Sequence, residues 1–235
     1  MTLPIEELAK YQHNGSKETI DVLIDAFGPQ ANFVNPQYKS EPRSYPVITP
    51  PAAIGLLESI LFRPEFQYQI LRLHAIKPIR YQTHSRNHVK TKMSERSGPI
   101  AIEKARVVRS HTYLSDVRYA IEFDLQLRPH ATDSVRKYYE MLERRLKRGQ
   151  CYRQPYFGQR ECRADFQPLD QAPQSEILGE FDLGMLPLAI DRIPDPGGPI
   201  TWRDPATREI VRGRCQTRYF AARMVDGVVE VPHAA

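Results

Sequence analysis

The stretch "DVRYAIEFDLQLR", Asp116 to Arg128, alternates without a break. Val117, Tyr119, Ile121, Phe123, Leu125 and Leu127 fall on one face. Arg118, Ala120, Glu122, Asp124, Gln126 and Arg128 fall on the other. A period of two belongs to a strand, and one apolar face opposite one polar face belongs to an antiparallel sheet covered on a single side. Any fold for this chain must therefore supply an apolar cover for that face and leave the other face solvated.

Two amphipathic helices can supply the cover. In "TPPAAIGLLESIL", Thr49 is a credible N-cap and Pro50 suits the first helical position. Ala53, Leu57, Ile60 and Leu61 share a face, and Pro64 stops the run. In "TDSVRKYYEMLERRLKRG", Thr132 or Asp133 predicts the N-cap and Gly149 the residue after the helix. Val135, Tyr138, Tyr139, Leu142 and Leu146 form its apolar stripe. At about 100° per residue, Lys137, Arg144 and Arg148 gather on another face.

Further strands are predicted at Thr19–Phe27, Phe66–Ile79 and Ile100–Arg109. Twenty prolines exclude an all-helical bundle. The order β-α-β-arm-β-α-β predicts an α+β protein with a ferredoxin-like, RRM-like βαββαβ domain over residues 19–165. Residues 1–18 form an N-terminal extension. Residues 80–109 form a protruding basic arm, because so long a polar excursion lacks any apolar pattern. Residues 166–235 form a small antiparallel β region, with Asp226-Gly227 as a two-residue hairpin turn.

Charge is concentrated in two blocks. Arg136–Arg163 holds nine Lys/Arg against three Glu, and Arg80–Arg109 holds eight against two. Each sums to +6 within a chain of net +5, so the remainder carries −7. Two basic blocks on an acidic background are the footprint of a polyanion site. In the loop "RGQCYRQPYFGQRE", Arg153 and Arg160 can grip phosphates while Tyr152 and Tyr156 stack on bases. The arm offers a similar mixture in Arg86, Asn87, His88 and Lys90. No P-loop, GxGxxG, nucleophile elbow or clustered acidic metal site is present. Cys151, Cys162 and Cys215 form no CxxC and are expected to be reduced thiols. His84 and His88 read as two loop histidines rather than zinc ligands, so no cofactor is expected. No run of 18 apolar residues exists and "MTLPIEELAK" lacks a signal-peptide core, which predicts a cytoplasmic protein with no membrane partner.

The blocks "YPVITPPAAIGLLESILFRPEF", "KPIRYQTHSRNHV", "TYLSDVRYAIEF" and "RKYYEMLERRLKRGQCYRQPYFGQREC" occur in this order. Together they resemble the CRISPR-associated Cas-five family of type I-C systems, from about Tyr45 to Phe166. The resemblance implies a subunit that binds the 5′ handle of CRISPR RNA. It would cap one end of an RNA-guided surveillance complex beside backbone and large subunits, and meet target DNA only through that complex. It also implies metal-independent cleavage of the precursor RNA within its repeats.

Cleavage of that kind uses the RNA 2′-hydroxyl as nucleophile, with a base, a cation and an acid around the phosphate. The resemblance places a Tyr, a Lys and a His in those roles. The Lys is Lys137, the His position holds Tyr138, and the Tyr position holds Leu61. Lys137 and Tyr138 are therefore the catalytic candidates. Tyr138 would serve only if Lys137 and nearby arginines lowered its pKa from about 10. His111, near a strand start, and His130, just before the helix, are conceivable substitute bases, each weighed against the reading as an exposed loop histidine. Arg80, Arg86, Asn87, Lys90, Lys92, Arg144, Arg148, Arg153, Tyr156 and Arg160 are the expected RNA contacts. Two other readings compete with a handle-binding subunit: an endoribonuclease with a rearranged base, and a stand-alone RNA-binding module. The second of these would lack the usual RNP aromatic signature.

Overall fold

A computed structural model describes residues 21–96 and 98–233. The expected N-terminal extension and the first two residues of the expected first strand lie outside the described residues. The elements, in order, are β1 (Asp21–Ala31), α1 (Pro50–Ile60), β2 (Phe66–Ala75), β3 (Tyr81–Val89), α2 (Ile102–Ala105), β4 (Arg106–Leu127), α3 (Val135–Arg148), β5 (Asp165–Pro168), β6 (Glu180–Pro194), β7 (Ile200–Arg203), β8 (Ile210–Val225) and β9 (Val228–Glu230). The chain is α+β, mostly antiparallel sheet with few helices.

The alternating stretch is the C-terminal part of β4, a strand of 22 residues. The expected returning strand of the arm belongs to the same strand. It starts at Arg106 rather than Ile100, because Ile102–Ala105 closes a helical turn first. Along one edge β4 pairs with β1, from Asp124↔Asp21 to Leu114↔Ala31. Along the other it pairs first with β3 (Arg106↔Val89 to Leu114↔Tyr81) and then with β2 (Tyr119↔Ala75 to Leu127↔Phe66). The changeover falls at Asp116, whose φ of 52° lies in the left-handed region that Asp tolerates better than most residues. The Lys77 ammonium bonds the Asp116 carboxylate at 2.5 Å and closes this corner. Beyond it, β3 and the first part of β4 form a two-stranded hairpin, the predicted arm.

The sheet order is β5-β1-β4-β2-β9-β8-β6, with β3 on β4 and β7 on β8. Thus the C-terminal strands continue the first sheet through β9, which pairs with β2 at Leu73↔Val229. The Asp226-Gly227 turn joins β8 to β9 with φ values of 49° and 80°, as a hairpin turn with both residues at positive φ requires.

Helices α1 and α3 cover the apolar face. Leu56, Leu57 and Ile60 of α1 and Val135, Tyr138, Leu142 and Leu146 of α3 join Ile121, Phe123 and Leu125 in one core. Thr49 stands at the N-cap position of α1, without a capping hydrogen bond from its side chain, and Pro50 is in the first turn. The N-cap of α3 is Ser134, not Thr132 or Asp133. Asp133 instead turns its carboxylate to Lys137 Nζ at 2.7 Å, so it is not available to cap. Gly149 ends α3 in the left-handed conformation, and Gln150 N–H reaches back to Arg145 O at 2.9 Å.

The polar face of β4 is not solvated throughout. Ala120 is fully buried, as is Asp25, its partner on β1, and Asp124 is nearly so. Long neighbours close over the short carboxylate: Arg118 grips Asp25 through two nitrogens at 2.9–3.2 Å, and Gln167 donates to it at 2.8 Å. Removing one partner of a buried ion pair typically costs about 3–5 kcal/mol. Here Gln167 remains and the Arg118 side chain is 34% exposed, so Arg118→Ala should cost about 2–3 kcal/mol. Urea unfolding checks this, and a loss under about 0.5 kcal/mol would mean that the pair is energetically idle.

Candidate nucleic-acid interface

The alternation of β3 sorts the arm into two faces. His84, Arg86 and His88 are half-buried on one; Thr83, Ser85, Asn87 and Val89 are exposed on the other. The first face meets His111 and Tyr113 of β4. His84 and His88 are therefore strand residues with partners, not loop residues. His84 bonds Gln30 at 3.0 Å and stands edge-on to Tyr113. His88 Nε2 lies 2.8 Å from His111 Nε2, with the rings stacked at 4.9 Å. His88 pairs with Val107 and His84 with His111, so this contact spans several rungs of the ladder. The hairpin is curled, with its histidine face inward.

Arg86 carries the junction between the two basic blocks. Its guanidinium lies 5.1 Å over the Tyr113 ring and 2.6 Å from Glu161. Tyr113 O–H donates to the same carboxylate oxygen at 2.8 Å. Glu161 belongs to the loop after α3, so the arm and that loop form one surface. The loop is held from beneath by Phe157, fully buried against Phe33 and Tyr119. Gly158, at φ 77°, passes so close to β1 that a Cβ would lie 2.1 Å from Asn32 O. Half of "QPYFGQREC" is thus an anchor (Phe157, Gly158, Cys162). The other half faces water. Arg153 and Arg160 are exposed, and Tyr156 is half-buried with Arg153 5.9 Å over its ring.

Arg80, Asn87, Lys90, Lys92, Arg144 and Arg148 are all exposed. Sequence reasoning missed Arg43, which lies between the Tyr38 and Tyr81 rings at 5.8 and 5.4 Å, and it missed Tyr113 and Glu161. Only the period of two through His84, Arg86 and His88 hinted at the cluster.

Lys137 is elsewhere. It opens α3, beside the start of β2, where Phe66 pairs with the last residue of β4. His111 lies near the other end of that strand, tens of ångströms away at about 3.3 Å per residue. The hydrogen bond it donates to Asp133 holds the Lys137 ammonium above its ordinary pKa, so it stays cationic. Tyr138 is in the core, 3% exposed, with its ring 5.2 Å from Phe66. Burial, then Glu65 and Asp133, push its phenol up; Lys137 and Arg63 oppose this and lose. Basic neighbours therefore do not make Tyr138 a base. Leu61 is also core, and the carbonyl there accepts from Tyr68 O–H at 2.6 Å. Burial raises the Tyr68 phenol strongly, so this tyrosine is no substitute either.

His130 occupies the Lys137 end. Its Nε2 lies 3.0 Å from Pro64 O. An open cleft of about 410 Å³ lies beside it, lined by Gln67, Gln126, Arg128 and Asp204. Arg128 Nε is buried there without a hydrogen-bond partner.

A curled cationic arm joined to an aromatic, arginine-bearing loop defines a surface suited to a single-stranded polyanion. Residues 21–232 match the family of CRISPR-associated proteins designated Cas_Cas5d (Cas_Cas5). A protein of Thermus thermophilus named CRISPR pre-crRNA endoribonuclease Cas5d is 40% identical, over 89% of this chain and 90% of its own. Another of that name, from Mannheimia succiniciproducens, is 35% identical over 90% of this chain and 94% of its own. The crystal structure of a functionally uncharacterized protein from Streptococcus mutans superposes with a TM-score of 0.65 at 21% identity, covering 91% of this chain and 93% of that one. A crystal structure of a CRISPR-associated protein gives the same score and identity over 93% and 95%. The chain belongs to the Cas5d family of CRISPR-associated proteins, the type I-C branch that its sequence blocks resemble.

Burial lowers the His111 imidazole from its ordinary 6.5, assisted by His88 and Arg86. The unfolded chain therefore takes up this proton first. The stability is fully present above about pH 6.5 and is lost as pH falls through that value toward the lower folded pKa. The melting temperature should drop between pH 7.5 and 5.5, and drop less in His111→Gln. Parallel acid losses in both proteins would remove His111 as the cause.

Proposed function

We propose that this chain binds the repeat-derived 5′ handle of CRISPR RNA in a type I-C surveillance complex, and processes the precursor RNA as its named relatives do. The carrying observation is the Arg86–Tyr113–Glu161 junction, which makes one surface of the arm and the loop. Arg86, Lys90, Lys92, Arg153 and Arg160 hold phosphates from it, while Tyr156 and the exposed Tyr152 stack on bases. Arg80, Asn87, Arg144 and Arg148 extend the path. Backbone and large subunits are the protein partners, target DNA is met through the complex, and the location is cytoplasmic. The processing chemistry runs through side chains and the RNA's own 2′-hydroxyl, with no cofactor.

The finer fold reading supports the same assignment. Strands β1, β2, β4 and β5, with α1 and α3 as crossovers, stand in the order β5-β1-β4-β2, all antiparallel. We read this as a ferredoxin-like domain within the described residues 21–168, three residues past the expected boundary at 165 because β5 is its fourth strand, with the arm inserted before its third strand. The small β region beyond Pro168 is a C-terminal addition.

A chain with Arg86, Arg153 and Arg160 all replaced by Ala should bind handle RNA at least tenfold more weakly at physiological salt. Its log K against log salt should also flatten by roughly one unit per lost phosphate contact. Equal affinity and equal salt slope would overturn this surface as the RNA site.

A further inference from the structure

Tyr138, the base candidate beside Lys137, is buried and its phenol raised, so a chain that processes RNA as proposed above needs another proton acceptor. We propose that His130 is the general base of RNA strand scission, acting in the cleft between the β2–β4 ends and the Asp204 turn. The proposal rests on the RNA-processing reading above.

The first argument is the tautomer. Pro64 O carries only lone pairs, so His130 Nε2, at 3.0 Å, must be the donor. In the neutral ring the remaining nitrogen, Nδ1, then holds the lone pair. A backbone carbonyl thus orients this imidazole as a third group orients the base in a catalytic triad. The second is location. Pro64 sits within Arg63–Phe66, and the same segment meets the start of α3, where the Tyr138 ring packs on Phe66 and the Arg63 charge acts on Lys137. The retained family lysine and His130 therefore flank one segment.

The third is the cleft itself. Its volume of about 410 Å³ falls in the range of small-ligand sites. Gln67 and Gln126, bonded to each other at 3.3 Å, offer amide edges. Arg128 lines the cleft and brings a guanidinium charge to it, its Nε being buried without a hydrogen-bond partner. The charged groups around His130 are Arg128, which favours a bound phosphate, Asp204, and Arg63 and Glu65 on the segment that its ring bonds. The Asp204 carboxylate is occupied by the backbone N–H groups of Ala206 and Thr207 at 2.9 Å each, which keep it ionised at the rim.

The step balances without a co-reactant. Nδ1 of His130 takes the proton from the 2′-hydroxyl as the 2′-oxygen bonds to phosphorus. The bond from phosphorus to the 5′-oxygen breaks, and water protonates the departing oxygen. Lys137 and Arg128 offset the added charge on the phosphorane. The products carry a 2′,3′-cyclic phosphate and a 5′-hydroxyl, and His130 returns its proton to solvent.

The test uses the full chain with its own repeat RNA and excess chelator, under single turnover from pH 5.5 to 9. His130→Gln keeps a donor for Pro64 O but has no group to accept the proton. Wild type should make one cut, with a rate that rises tenfold per pH unit and then levels. His130→Gln should bind RNA within twofold of wild type, cut at least a hundredfold more slowly, and lose that inflection. Added imidazole should restore part of the rate in His130→Ala. A His130→Gln rate within threefold of wild type overturns the proposal. So does a wild type that binds its repeat and never cuts it. Failure to bind at all would instead overturn the RNA reading beneath it.

Discussion

The hydrogen-bond ladder of β4 organises this molecule. It is the one strand that touches β1, β2 and β3, and every other part takes its position from it. One edge is continuous along β1, while the other is shared between β2 and β3, and the handover is possible only because the chain turns a corner at Asp116. A left-handed aspartate in mid-strand is unfavourable by itself. It is tolerated because Lys77 bonds its side chain and Ser115 N–H finds Arg80 O at 2.9 Å. The arm is thus an extension of the central strand beyond the helix-covered core. That is why it can be polar on both faces and still be ordered strand.

Much of this was legible because it follows from periodicity. The alternation at Asp116–Arg128, the stripe of α3, the stop at Gly149 and the turn at Asp226-Gly227 are local properties, and they stand where the residues place them. What was not legible depended on pairing. Nothing local shows that "RVVRS" and "DVRYA" lie on one strand, or that β9 joins the C-terminal strands to β2. The capping error has the same origin: Asp133 has cap chemistry, but Lys137 one turn later competes for its carboxylate and Ser134 takes the position. The solvated face was wrong at Ala120 because that residue pairs with Asp25 of β1, and Arg118 and Gln167 close over the Asp25 carboxylate.

The site was half legible for a similar reason. Exposed cations such as Arg153 and Arg160 can be picked out by composition, since lysine and arginine runs rarely enter cores. Glu161 and Tyr113 could not be, because their importance lies in Arg86 meeting both. The histidines were misjudged for want of a partner: His88 is ordinary until His111 stands 2.8 Å away across the hairpin.

The two ends of β4 then divide the labour on the proposed reading. The arm and loop grip, while the cleft beside His130 holds the group that reacts. Contacts far from the scissile bond can speed cleavage only if their binding energy fixes the reacting phosphate in place. A rigid connection between grip and cleft is therefore required, and β4 with its two flanking strands supplies one. The buried tyrosine at position 138 fits the same logic. Its ring packs on Phe66, the first residue of β2, and so steadies the segment whose Pro64 carbonyl orients His130.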